Sequence, residues 1–294
     1  MVSNLKFKNV AIYSSLNDKK VNSIANQVIE VLSNLGINYL SPLSSRINSK
    51  LIKKSHTDKT IVNRSDLVIA IGGDGTLLST ARKFGYYQIP VLGINLGNLG
   101  FLTDIPPRDL TFMLNEIMKG SFTEDRRIFL EAKVQGTKQT FKALNEIVLH
   151  SGSIAQLIEY DLFIDDEFVY RQKADGLIIS TSTGSTAYSL SGNGPIISPD
   201  VRAITLLPMF PHSLNARTLI TNQDRTIKLR VTGKSKAYLS MDSHNNLKVN
   251  PNEDVYIQRA DTELTLIHPV DHSFFYSCRN KLGWSLGVPS KNTP

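Results

Sequence analysis

The chain has a single cysteine, Cys278, in 294 residues. An internal disulfide framework and a cysteine-based zinc cage are therefore excluded, and the thiol is left a packing role. Long apolar runs are missing too: none approaches the roughly 18 residues a membrane span needs. The opening MVSNLKFKNVAIYSS lacks the apolar stretch of about seven residues or more that marks a secretory signal. The expectation is a cytoplasmic protein with no membrane partner. Basic clusters are also scarce. The 33 Lys and Arg exceed the 26 Asp and Glu, for a net charge of +7, but the cations are scattered, as in INSKLIKKSHTDKT. With no interleaved aromatics and no zinc-finger or RNP-like pattern, nucleic acid is not an expected partner. The positive balance suits a small phosphate-bearing ligand.

What is present is ordinary globular material, 41% hydrophobic and 20% charged, enough for a folded chain of about two domains. Residues 9–41 read as strand, helix, strand. Val21, Ile24, Val28, Val31 and Leu32 recur at the spacings of an amphipathic helix, and Gly36 suits its C-terminal end. DLVIAI at 66–71 and IPVLGIN at 89–95 are short apolar runs of the kind buried in a parallel sheet, with residues 77–84 supplying a helix between them. Residues 1–120 thus predict an α/β domain with an open, mainly parallel, Rossmann-like sheet. Beyond 120, alternating strand-length pieces such as RRIFLEAKVQG, IEYDLFIDDEFVYRQ and RTIKLRVTG are separated by Gly, Asn and Asp turns. Residues 121–272 predict a mainly β domain. Residues 273–294 form a C-terminal tail, with a helix near 274–284 expected to pack back on the α/β domain.

In open α/β domains ligands bind at the carboxyl ends of strands, and GGDGT at 72–76 directly follows one. Gly72, Gly73 and Gly75 permit positive φ and close approach of a phosphate, while Thr76 and the helix start supply outward N–H groups. A pyrophosphate fits such a loop. The spacing is neither the Walker pattern, which requires a lysine after its last glycine, nor G-x-G-x-x-G. Asp74 has two readings. It is a helix N-cap or turn residue, or it is retained beside bound phosphates to serve Mg²⁺ or an attacking hydroxyl.

A second element, KADGLIISTSTGSTAYSLSGNGPIISPD at 173–200, brackets an apolar strand with Asp175 on one side and a run of serines and threonines leading to Tyr188 on the other. Hydroxyls that both donate and accept suit ribose and adenine edges, although such a run taken alone is also a polar turn. One such element in each domain favours a ligand, and an active site, lying between the domains.

With both elements in view, the sequence closely resembles the NAD kinase family of bacterial type. The resemblance is carried by GGDGT, NLGNLGFLTD at 95–104, LNEIVLH at 144–150, DGLIISTSTGSTAYSLSGNGPI at 175–196, PHSLNAR at 211–217 and KLGW at 281–284. It implies transfer of the ATP γ-phosphoryl group to the 2′-hydroxyl of the adenosine ribose of NAD⁺, giving NADP⁺. By the same resemblance Asp74 is the general base, and Gly75, Asn145 and Glu146 contact the dinucleotide. Asp175 reads its nicotinamide end, Phe101 sits beside the adenine, and Thr186, Ala187, Tyr188, Ser189, Leu190 and Ser191 line the adenosine and ribose pocket. Lys173 stands where relatives carry a basic residue. His244 stands where they often carry glutamine, which puts its contact in doubt. No dedicated protein metal site is implied; Mg²⁺ accompanies ATP. The family also implies a homo-oligomer, commonly a homotetramer. Lipid kinases share the G-G-D-G-T loop, but TGSTAYSLS and PHSLNAR argue against them. A non-catalytic dinucleotide sensor would not need Asp74.

Overall fold

The computed structural model describes residues 5–97, 100–153, 156–233 and 236–284, except for the side chain of Asn245. Asn98 and Leu99 of the GNLG stretch, and the tail beyond Trp284, lie outside the described residues. The chain forms two compact units: one runs up to Arg126 and resumes at Leu264, and the other is Arg127–Glu263.

The first unit is built on β1 (Asn9–Tyr13), β2 (Asn38–Pro42), β3 (Ser55–His56), β4 (Leu67–Ile71) and β5 (Val91–Ile94), in the spatial order β3-β2-β1-β4-β5. Every pairing is parallel. The helices are α1 (Lys19–Asn34), α2 (Asp58–Arg64), α3 (Asp74–Lys83) and α4 (Leu110–Met118). β4 is buried at all five positions, as a strand covered on both faces must be. On one face Ile12, Ile69 and Leu92 meet Ile24, Val28 and Leu32 of α1 and Leu114 of α4. On the other, Ala11 and Val68 meet Ile61 of α2 and Phe84. Each such aliphatic side chain contributes about 1.5–3 kcal/mol on burial, so the apolar periodicity of α1 is what docks it. Its ends are set locally. Asp18 accepts from the Val21 amide at 2.8 Å, and Gly36, at φ +71°, lets its own amide return to the Ser33 carbonyl at 3.0 Å.

The second unit is a β-sandwich. One sheet has the order β13-β12-β11-β8-β15-β16, from β8 (Glu146–His150), β11 (Gly176–Thr181), β12 (Ala203–Met209), β13 (Leu219–Asn222), β15 (Ala237–Met241) and β16 (His244–Val249). The other contains β9 (Ile158–Ile164), β10 (Glu167–Ala174), β14 (Ile227–Thr232) and β17 (Asp254–His268), with β6 (Thr123–Val134) and β7 (Phe141–Ala143) alongside. A short helix, α5 (Tyr188–Ser191), follows β11. Alternation decides which side chains enter the core. Ile147, Leu149, Leu177 and Ile179 pack against Tyr160, Leu229 and Ile257 of the opposing sheet. Val148 and Ile178 point the other way, with Leu207.

Leu266 and Ile267, at the end of β17, pair in parallel with β5 in the first unit. α6 (Phe274–Leu282) also belongs to the first unit and is capped by Ser273, with Cys278 buried. The divisions fall at 126/127 and 263/264, where sequence composition had suggested 120/121 and 272/273. β6 and β17 are unbroken strands of 12 and 15 residues, so no turn signal marks either border. No helix among the described residues is long and apolar enough to cross a membrane.

Candidate active site

β4 stops at Ile71 and α3 begins at Asp74, with Gly73 as an extended N-cap that has no side-chain hydrogen bond. The positive φ expected of the loop does not occur at Gly72, Gly73 or Gly75. Glycine is needed at Gly72 for a different reason: a Cβ there would lie 2.2 Å from Thr76 Oγ1, which itself pairs with Ser15 Oγ at 2.9 Å. Around the Cβ positions of Gly73 and Gly75 no described atom lies within 4 Å. Bare peptide at the start of a helix therefore faces open space, which suits an anion.

Asp74 is the first residue of α3 and not its N-cap. Its Oδ2 accepts from the Phe101 amide at 3.0 Å and its Oδ1 from the Leu102 amide at 3.1 Å. Thr103 Oγ1 lies 3.5 Å from Oδ1, and Lys281 Nζ, from α6, is 3.2 Å from Oδ2. The approach is close enough that a Cβ on Gly100 would stand 2.2 Å from Asp74 Oδ1. Asn95 steadies the same segment by donating from Nδ2 to Thr103 Oγ1 at 3.1 Å. Phe101 is only 8% exposed. Its ring centroid lies 6.4 Å from that of Phe274, and Lys281 Nζ sits 4.6 Å above it. Lys281 was missed as a site residue, although KLGW carried it into view.

Also in this unit, Asp104 meets the Nδ1 edges of two stacked imidazoles, His268 and His272, whose centroids are 4.0 Å apart. His268 Nδ1 contacts one carboxylate oxygen of Asp104, and His272 Nδ1 is 3.2 Å from the other. Burial alone would raise Asp104, but the two imidazoles overcome it and hold it at about 2. Burial likewise opposes a charged His268, yet its hydrogen bond to Asp104 and the Asp125 carboxylate 3.7 Å from Nε2 push it up to about 9. The three ligand-type groups lie within 4.8 Å of one another. His268 and His272 thus engage both oxygens of Asp104 in one ionic cluster. The cluster borders a cavity of about 900 Å³ lined in part by Asn95, Arg108, Tyr276 and Arg279.

In the second unit, Glu146 opens β8 and Asn145 directly precedes it, both buried. They are positioned by Asp242, which sequence reading also missed. Its carboxylate accepts from the amides of Leu144, Asn145 and Glu146 at 2.9, 2.8 and 3.2 Å. Asp242 and Ser243, at φ +46° and +59°, form the tight turn between β15 and β16, an Asp-first turn that the sequence did carry. Glu146 Oε2 has no hydrogen-bond partner among the described residues. Burial, then the charge of Asp242, raises the Glu146 carboxyl to about 7, against a backbone hydrogen bond from Tyr188.

Beside it lies a hollow of about 460 Å³ whose lining includes Val148, His150, Asp175, Tyr188 and Asn246. Tyr188 is exposed. His150 Nδ1 accepts from the Gly152 amide at 3.1 Å, and burial lowers its pKa against a hydrogen bond with Asn246. Several hydroxyls at the start of the serine and threonine run serve the fold, while Ser189 Oγ has no hydrogen-bond partner among the described residues. Thr181 Oγ1 donates to the Leu144 carbonyl at 2.7 Å, Ser182 to Val201 at 2.6 Å, and Ser185 to Ser182 at 2.7 Å. Thr183 accepts from the buried Arg127 at 3.1 Å. Thr186 and Ala187 are half-buried, Ser189 is buried, Leu190 half-buried and Ser191 exposed, the last three following Tyr188 in α5. Lys173 pairs with Glu159 at 3.4 Å on the neighbouring strand. His244 Nδ1 donates to the Asp242 carbonyl at 2.7 Å, which uses that proton within the turn.

Two family profiles match, the ATP-NAD kinase N-terminal domain over residues 10–122 and the ATP-NAD kinase C-terminal domain over 144–269. The NAD kinase of Tolumonas auensis is 40% identical over 288 residues, spanning 95% of this chain and 97% of that one. The NAD kinase of Klebsiella pneumoniae is 48% identical over 236 residues, 79% and 81% of the two chains. Among solved structures, yeast NADH kinase complexed with NADH superposes with a TM-score of 0.86 at 28% identity, covering 98% of this chain and 94% of that one. With both halves of the profile matched in order, and the glycine loop and the Asn-Glu strand placed as described, the chain belongs to the ATP-NAD kinase family.

Proposed function

We propose a division of labour for the reaction this chain catalyses, the ATP-dependent phosphorylation of NAD⁺ to NADP⁺. The first unit handles phosphates and the attacking hydroxyl, and the second binds the dinucleotide. Asp74 carries the proposal: a carboxylate fixed by two amides at a helix start whose neighbouring glycines leave the peptide open. The donor's phosphates lie against the amides of Gly73, Gly75 and Thr76. Asp74 accepts the proton of the 2′-hydroxyl as the oxygen attacks the γ-phosphorus in line. Such a transition state is loose, so positioning counts for more than basicity. Magnesium arrives with ATP.

In the second unit, Asn145 and Glu146 hold ribose and amide groups of NAD⁺. Asp175 and Tyr188 take the nicotinamide and nucleoside parts at the hollow, and Thr186 to Ser191 supply the rest of the pocket wall. Phe101 is assigned to the adenine edge in this reading, with its buried ring as backing. Lys173, in its pair with Glu159, and His244, in its turn, have supporting places only. The working enzyme is a cytoplasmic homo-oligomer, a homotetramer by family likeness. The test is NADP⁺ formation by the purified protein from ATP, Mg²⁺ and NAD⁺, read through an NADP-specific dehydrogenase. Turnover is expected; NAD⁺ binding without NADP⁺ formation would make the chain a sensor instead.

A further inference from the structure

The glycine loop lacks a lysine of its own, although enzymes that move phosphoryl groups commonly bring a cation to the donor. α6 brings one from a distant part of the chain. Phe274, Cys278 and Lys281 recur at spacings of four and three and so share a face of the helix. Phe274 meets Phe101, Cys278 is buried, and Lys281 extends its ammonium over the Phe101 ring to Asp74. Gly283, at φ +67°, ends the helix two residues later. The ammonium is thus delivered to the first residue of α3, beside the open peptide of Gly73 and Gly75. The Lys281 and Asp74 side chains are 30% and 28% exposed, so a ligand can reach the pair from solvent.

We propose that Lys281 is a ligand of the donor phosphates. This rests on the reading of the loop as the phosphate site. Without nucleotide, Lys281 is partnered by Asp74, which keeps the carboxylate neutralised at a site made for anions. When the triphosphate binds, the flexible four-carbon stem lets the ammonium turn from one oxygen acceptor to another. Asp74 Oδ2 is then left with the Phe101 amide and a free direction from which to accept the 2′-hydroxyl proton. A single residue so accounts for two requirements, neutralising phosphate charge and releasing the base only when donor is present.

The test uses inorganic triphosphate and the full chain, so that binding is read without turnover and a failure of the kinase reading is a separate result. By calorimetry, Lys281→Met is expected to weaken triphosphate binding about tenfold or more, the loss typical of a charged hydrogen bond. KM for ATP should rise in parallel, NAD⁺ affinity should hold within about twofold, and Lys281→Arg should restore part of the triphosphate affinity. Unchanged triphosphate binding in Lys281→Met would overturn the proposal. So would equal loss of triphosphate and NAD⁺ binding with a lowered melting temperature, which would make Lys281 a packing residue of α6.

Discussion

Asp74 and Glu146 are both carboxylates at the head of an element, the first of α3 and the second of β8, yet their surroundings are opposite. Asp74 is surrounded by donors: two amides and an ammonium converge on its oxygens. Glu146 is buried beside a second carboxylate, with one oxygen unpartnered, and titrates near 7. The comparison teaches that a family motif does not specify the state of its acid. Donors fix an acid as an acceptor in one place, whereas burial and a like charge raise the pKa of the other. The first arrangement suits a group that must be aimed at a proton. The second suits one that gains a hydrogen-bonding partner only when ligand arrives.

The sharpest way to break the comparison is to neutralise Asp74. Asp74→Asn is expected to cut turnover about 10²- to 10⁴-fold, the range for a lost general base, in a protein whose circular dichroism is unchanged. Next in size is Asp242→Ala, which takes the acceptor from three amides at Leu144 to Glu146. Urea unfolding should show a loss of about 2–4 kcal/mol, since buried donors without partners bear the full desolvation cost. A loss below about 0.5 kcal/mol would mean that these amides find other partners.

Smaller effects follow from pH. The folded Glu146 carboxyl is raised to about 7, so the native state holds this proton more tightly than the unfolded chain. Stability falls as pH rises from the ordinary carboxyl range to about 7 and is level above it, a decline of at most about 3 kcal/mol. Glu146→Gln should lack that decline and melt higher than the wild type at pH 8. His268 also has a raised value, about 9. Its contribution is whole below the usual imidazole value near 6.5 and is lost as pH climbs through 9, so His268→Asn should remove that alkaline limb from a plot of melting temperature against pH. Smallest of all is Lys173→Ala. Its pair with Glu159 joins side chains 59% and 27% exposed, and such pairs are worth under about 1 kcal/mol.

Much of the first unit was legible because parallel sheets write themselves as short apolar runs: LVIAI is buried at every position, and α1 showed its docking face in its spacing. The β-sandwich was legible as a class through alternation, but not in its borders, since β6 and β17 pass them without a turn. At the site, local signals located the loop and the Asn-Glu pair. What they could not supply was contact across sequence distance: Lys281 reaches Asp74 over 207 positions, and Asp242 reaches Asn145 over 97. In the serine and threonine run the contacts not legible in sequence are those of hydroxyls with backbone carbonyls. Hydroxyls that look free for a ligand in sequence are consumed by nearby carbonyls in the fold.

The most direct test of the split between a reacting carboxylate and a binding one is the NAD⁺ affinity of Asp74→Asn, measured by calorimetry beside Glu146→Gln. The account predicts that Asp74→Asn binds NAD⁺ within about twofold of the wild type while its turnover collapses, and that Glu146→Gln loses about tenfold in affinity. If affinity in Asp74→Asn falls in step with turnover, Asp74 serves to bind the dinucleotide and the proposed division of labour is wrong.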